Sequence, residues 1–205
     1  MSGNSSLNVI NTVENLSSIV INFTSVPIPY YQNQDSIFFA SSLEYGVPSG
    51  NTPFSIITSE DTTSTLFSAT FSLSPGGIYS LYFAGVSQKI DTLFMQDIIP
   101  SYSDSSAGVR FVNLSPGSGP MTVNIAGNGP SAVEFGNLGY KQVSPFKTYS
   151  AIVSVGGTYN FEIRDQKSDS LLVTFGWNYS LQKNNTIVVC GTETTSLEVF
   201  QVNNY

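Results

Sequence analysis

Histidine is absent from this 205-residue chain. That removes Ser-His-Asp and Cys-His nucleophilic catalysis and most transition-metal sites, all of which need an imidazole as base or ligand. What remains for chemistry is fourteen Asp and Glu, one cysteine and a set of aromatic side chains. Cys190 lies in Ile187-Val188-Val189-Cys190-Gly191. A nucleophilic thiolate needs electropositive surroundings, so this thiol reads as a small core hydrophobe. Paired carboxylates could hydrolyse glycosides if the fold set two of them across a cleft. The acidic residues read instead as surface: Glu60-Asp61 sit in the polar stretch Ser59–Ser64, Glu162 alternates outward between Phe161 and Ile163, and Asp165-Gln166-Lys167 forms a turn. There is no Asp-x-Asp-x-Asp-Gly run for calcium and no Gly-rich phosphate cradle. The expectation is therefore no catalytic residue, no metal site, no cofactor and no enzyme.

Recognition chemistry is better represented. The segment Pro27-Ile28-Pro29-Tyr30-Tyr31-Gln32-Asn33-Gln34-Asp35 places two aromatic faces beside amides, the groups a sugar-binding loop would offer. Loops carried on a rigid scaffold commonly perform recognition. Tyr30, Tyr31, Gln32 and Asn33 are thus the candidate ligand-binding residues, with capping of one domain end as the structural alternative. Trp177, in Phe175-Gly176-Trp177-Asn178-Tyr179, admits the same two readings, and a lone Trp in a strand favours core.

The elements that must position these residues are strands. Apolar residues make up 40% of the chain, aromatics 13% and charged residues only 10%, so Ser, Thr, Asn and Gly must cover the surface. Helix-coating residues are scarce, and β-formers recur throughout. Strict alternation marks Phe67–Leu73, Met121–Ile125 and Tyr159–Arg164 as strands with one buried face. Turn signals lie at Ser74-Pro75-Gly76-Gly77, Ser115-Pro116-Gly117, Asn128-Gly129-Pro130, Gly156-Gly157 and Lys183-Asn184-Asn185.

Charge narrows the partners. The net charge is −7, residues 1–100 hold Lys89 as their one basic residue, and the other basic residues follow Ala107. Such a chain lacks the positive surface that follows nucleic acid or an anionic membrane. No apolar run approaches membrane-spanning length, so no insertion of the mature chain is expected. The polar start Met1-Ser2-Gly3-Asn4-Ser5-Ser6 suggests that a signal or lipid-bearing segment has been removed.

An internal repeat organises the whole. Leu7-Asn8-Val9-Ile10-Asn11 overlays Val109-Arg110-Phe111-Val112-Asn113, and at the same offset Ile21-Asn22-Phe23 overlays Val123-Asn124-Ile125. With small insertions, Gly50–Phe54 answers Gly156–Tyr159 and Leu73 answers Leu181. A period of about a hundred residues suits a duplicated domain rather than a solenoid unit. The expected domains are 1–100 and 101–205, joined near the polar stretch Pro100–Ser106.

The stretches GVRFVNLSPGSGPMTVNIAG, VGGTYNFEIRD and KNNTIVVCGT resemble the bacterial domain of unknown function 4397. This likeness covers residues 108–192. Residues 7–86 depart from it, with Asn11-Thr12-Val13-Glu14 in place of the Ser-Pro turn and a Pro27–Gln34 insertion. The resemblance implies an all-β chain of two tandem immunoglobulin-like antiparallel β-sandwich domains. It also implies export to the periplasm or cell surface, often with a lipid anchor, and no established activity. The functional expectation is a non-catalytic cell-envelope module for interaction or adhesion, meeting an unknown protein or glycan. A carbohydrate-binding accessory module and a fimbrial subunit stand as alternatives.

Overall fold

The computed structural model describes residues 3–24, 26, 28, 35–152, 157–192 and 196–204. It divides into two compact units, Met1–Ile98 and Ile99–Tyr205. The first contains β1 (Asn4–Asn11), β2 (Ser18–Asn22), β3 (Ser36–Phe38), β4 (Ser41–Pro48), β5 (Gly50–Ile57), β6 (Phe67–Leu73), β7 (Ile78–Val86) and β8 (Lys89–Gln96). The second contains β9 (Ser106–Asn113), β10 (Met121–Ile125), β11 (Val133–Leu138), β12 (Lys147–Ser150), β13 (Thr158–Asp165), β14 (Leu171–Asn178), β15 (Asn184–Thr192) and β16 (Ser196–Asn204). No helix long and apolar enough to cross a membrane occurs among the described residues.

Each unit is a sandwich of two four-stranded sheets. The orders are β4-β1-β7-β8 and β3-β2-β5-β6 in the first, β12-β9-β15-β16 and β11-β10-β13-β14 in the second. Laying β1–β8 on β9–β16 gives the same topology strand for strand. The cause is the alternation read from sequence: Leu7, Val9 and Leu81 from one sheet meet Ile21, Phe54 and Ile56 from the other. Phe111, Val123, Phe161 and Trp177 do the same in the second unit. One pairing in each unit departs from the expected antiparallel arrangement, since β1 runs parallel to β7 and β9 to β15. The turn Ser74–Gly77 lands beside the start of β1, where the Gly76 N–H donates to the Asn4 carbonyl and the Ser6 N–H to that of Gly77, both at 2.9 Å. The two strands therefore leave from the same end.

The repeat has a structural centre in a buried asparagine. Asn11 ends β1 and Asn113 ends β9, both fully buried. Asn11 donates from Nδ2 to the Ile37 carbonyl at 3.0 Å and accepts the Val13 N–H at 3.1 Å. Asn113 donates to the Leu138 carbonyl at 2.9 Å and accepts the Ser115 N–H at 2.9 Å. Each amide turns the chain out of the first strand and ties it to the other sheet.

Three local expectations are corrected. Lys183-Asn184-Asn185 is not a turn, because Asn184 and Asn185 open β15 and are buried. Both amides find partners there: Asn184 bonds the Pro100 carbonyl at 2.8 Å, and Asn185 bonds Asn203 at 2.9 Å. A Cβ at Gly108 would fall 2.1 Å from Asn184 Oδ1 and 2.3 Å from the Tyr102 hydroxyl, so glycine is needed at that approach. Leu73 does not answer Leu181. Leu73 is buried opposite Gly50, whereas Leu181 is 54% exposed in the turn before β15. Finally, β10 is buried on both faces, since Asn124 lies beneath Glu162 and Arg164 instead of facing water.

Candidate functional site

Alternation along β5 and β6 sends Phe54, Ile56, Phe67 and Phe71 into the core and leaves Pro53, Ser55, Ser68 and Thr70 on the outer face. The ladder then sets Ser55 opposite Ser68 and Pro53 opposite Thr70, while Asn22 of β2 lies opposite Ser55. These residues floor a groove of about 550 Å³. Its walls are Thr24 and Val26, following β2, and Thr62, Thr63 and Thr65, between β5 and β6. No charged side chain lines it among the described residues. The hydroxyls of Ser55, Thr62, Thr65, Ser68 and Thr70 form no hydrogen bond within the described chain.

Both walls are held by short side-chain bonds. Asn22 Oδ1 accepts the Thr24 N–H and hydroxyl, each at 2.8 Å, and Nδ2 donates to the Val26 carbonyl at 2.9 Å. Beyond Val26, Ile28 packs on Val20 and Ile57, anchoring this connection to the outer face. Asp61 accepts from the Thr63 N–H at 2.9 Å and its hydroxyl at 2.6 Å, while its own N–H donates to Thr58 Oγ1 at 3.0 Å. Hydrogen bonds from Ser64 and Thr63 hold the Asp61 carboxyl far below the ordinary carboxylate value.

The second unit fills the corresponding face with charge. Asn124 lies opposite Glu162 as Asn22 lies opposite Ser55. Arg164 Nη2 meets Glu162 Oε2 at 2.7 Å, and Asn124 bonds both side chains. The two copies thus differ on this face by an ion pair against a row of hydroxyls.

The remaining candidates resolve as follows. Tyr30, Tyr31, Gln32 and Asn33 lie outside the described residues. Trp177 is fully buried, packs against Tyr149, Tyr159 and Phe161, and donates its indole N–H to Asn185 Oδ1 at 2.8 Å. It is core. Cys190 is fully buried in β15. A thiol reagent should label it slowly in the native protein and promptly in denaturant; rapid native labelling would contradict this placement. No group of three or more Cys, Asp or Glu able to hold a metal occurs among the described residues.

Hydrogen bonds hold several carboxyls of the described residues below their ordinary values. Besides Asp61, these are Glu134, bonded by Lys147 and Tyr149, Glu162, bonded by Arg164 and Asn124, and Asp165, bonded by Ser168. A glycosidase acid requires the opposite displacement. Tyr149 is pushed strongly up by burial and by its bond to Glu134, so its hydroxyl stays protonated.

The family model of a domain of unknown function, DUF4397, matches residues 5–124. The chain belongs to the DUF4397 family. The matched span runs from β1 to Asn124 of β10, so the DUF4397 pattern falls mainly on the first unit and overlaps residues 108–192, where the motifs carry the resemblance, only as far as Asn124. No curated protein matches this DUF4397 chain. Among solved structures, a family CBM26 carbohydrate-binding module from Eubacterium rectale in complex with maltoheptaose is 11% identical with a TM-score of 0.31, covering 97% of each chain. A candidate cell adhesion protein from Bacteroides uniformis is 8% identical with a TM-score of 0.29, covering 98% of each chain. At such scores neither likeness carries an argument about this DUF4397 protein.

The groove was not singled out from sequence. Its one sequence signal is the outward run Ser68, Thr70 and Ser72 in β6, which reads as ordinary surface until β5 and the two walls are set beside it.

Proposed function

We propose that the chain is a non-catalytic recognition module of an exported, lipid-anchored cell-envelope protein, meeting a protein or glycan partner through the outer face of β2, β5 and β6. The supporting observation is the groove: five hydroxyls without hydrogen-bond partners among the described residues converge between two walls held by their own hydrogen bonds. A surface arranged in advance loses little freedom on binding. Tyr30, Tyr31, Gln32 and Asn33 follow Ile28 closely in sequence, and Ile28 is packed on Val20 and Ile57 of the same face, which is a reason to retain them as contributors. The family resemblance is what supports the reading of export and anchoring. The test is a screen of the purified chain against glycan and surface-protein arrays, repeated with Ser68→Trp. Ser68 is exposed, so the variant should keep its melting temperature and lose the partner. A partner retained by Ser68→Trp would place recognition elsewhere.

A further inference from the structure

We infer that the groove takes a neutral, polyhydroxylated ligand, a glycan chain without acidic substituents laid across β2, β5 and β6; this rests on the recognition reading above. The chemistry of the lining narrows the choice. Without Lys or Arg at the groove among the described residues there is no cationic partner for uronate, sulfate or phosphate, and the acidic first unit would repel them. Without Asp or Glu in the lining there is none for a cationic side chain.

An extended peptide would seek an open strand edge, whose unpaired backbone supplies most of its bonds. Here β5 is paired on both sides, by β2 and β6, so the groove floor offers no backbone edge at Ser55; the nearer open edge of the sheet is the far side of β6, and a peptide added there would bond backbone to backbone and leave the Ser55 and Ser68 hydroxyls unused. A folded protein partner would seek a desolvated pocket for a large anchor side chain. This groove instead presents Ser55, Ser68 and Thr70 with Thr62 and Thr65, each hydroxyl able to donate once and accept twice. Neighbouring strands stand about 4.8 Å apart, and same-face residues along a strand about 6.8 Å apart. Ser55, Ser68 and Thr70 are therefore spaced on the scale of one sugar ring, with Thr62 and Thr65 in the wall beside them. Pro53, opposite Thr70, adds a small apolar surface for the ring's C–H face.

The test uses the whole chain against immobilised neutral gluco-, manno- and galacto-oligosaccharides and their sulfated and uronic-acid counterparts. Titration follows with Ser68→Ala and Thr70→Val, which remove one hydroxyl each from exposed positions. The inference expects saturable binding of at least one neutral series and no binding of its acidic counterpart. Each variant should weaken affinity roughly three- to tenfold, the scale of one hydrogen bond, with unchanged melting temperature. Neutral glycans that fail to bind, or bind both variants as tightly as the native chain, overturn it. Should a protein partner instead be found that Ser68→Trp abolishes, the recognition reading stands and the glycan inference falls; with no partner of either class, both fall.

Discussion

Replacing Trp177 with alanine should lower the stability of the second unit by about 4 kcal/mol, the middle of the range for truncating a buried aromatic. The side chain is fully buried among Tyr149, Tyr159, Phe161 and Tyr179, with ring centroids 5.7 to 6.3 Å away. Losing the ring opens a cavity that strands β13 and β14 are not free to close, because their ladder spans Thr158–Arg164. It also takes the donor from Asn185 Oδ1, which is then left beneath the sheet. For a unit of this size the melting temperature should fall by roughly 15–25 °C. Trp177→Phe keeps most of the ring contact and loses the N–H, so its cost should be smaller. Because Trp177 is the one tryptophan in the chain, its fluorescence reads the same core: native emission should be blue-shifted and shielded from iodide. A drop of only a few degrees in the alanine variant, or emission quenched in the native state, would contradict the placement of this residue.

The second large effect belongs to the paired asparagines. Asn113→Ala leaves the buried Ser115 N–H and Leu138 carbonyl without their partner, and Asn11→Ala does the same to Val13 and Ile37. A buried polar group left unsatisfied costs about 1–3 kcal/mol. Each substitution should therefore cost about 2–4 kcal/mol, lowering the transition of its own unit by roughly 10–20 °C. Calorimetry of both variants checks this. Equal, small effects within about 0.5 kcal/mol would mean that water replaces the amide and that the repeated Asn is incidental.

The asparagine also shows how far the sequence could be read. Asn11 and Asn113 were aligned by the repeat, and the following strands Ile21–Phe23 and Val123–Ile125 kept the same offset. What the amide does was not legible, since its partners Ile37 and Leu138 lie 26 and 25 residues away on strands of the other sheet. Past the second strand the alignment slipped. Pairing Leu73 with Leu181 matched residue type but not burial, and only the ladder opposite Gly50 shows Leu73 to be core. Asn184 and Asn185 failed for a related reason. In a linear reading amides signal turns, whereas here each pairs with a group brought near by tertiary structure, Pro100 and Tyr102 for one, Trp177 and Asn203 for the other.

From the sequence alone came an all-β chain, its duplication, its acidic and histidine-free chemistry, and the family resemblance. The all-β class follows from composition and from periodicity of two, the duplication from segments that repeat at one offset, and the resemblance from its motifs, all of which are read without knowledge of which strand lies beside which. The structure decided what depends on register and strand order. The parallel pairing of β1 with β7 arises because a distant turn lands at the start of the first strand. The groove arises because Ser55, Ser68 and Thr70, outward-facing on two strands, are drawn together between walls anchored by Asn22 and Asp61. Hydroxyls scattered through a Ser- and Thr-rich sequence are indistinguishable from surface; cross-strand pairing at about 4.8 Å sets Ser55 beside Ser68, and the connection between β5 and β6 brings Thr62 and Thr65 to the same groove.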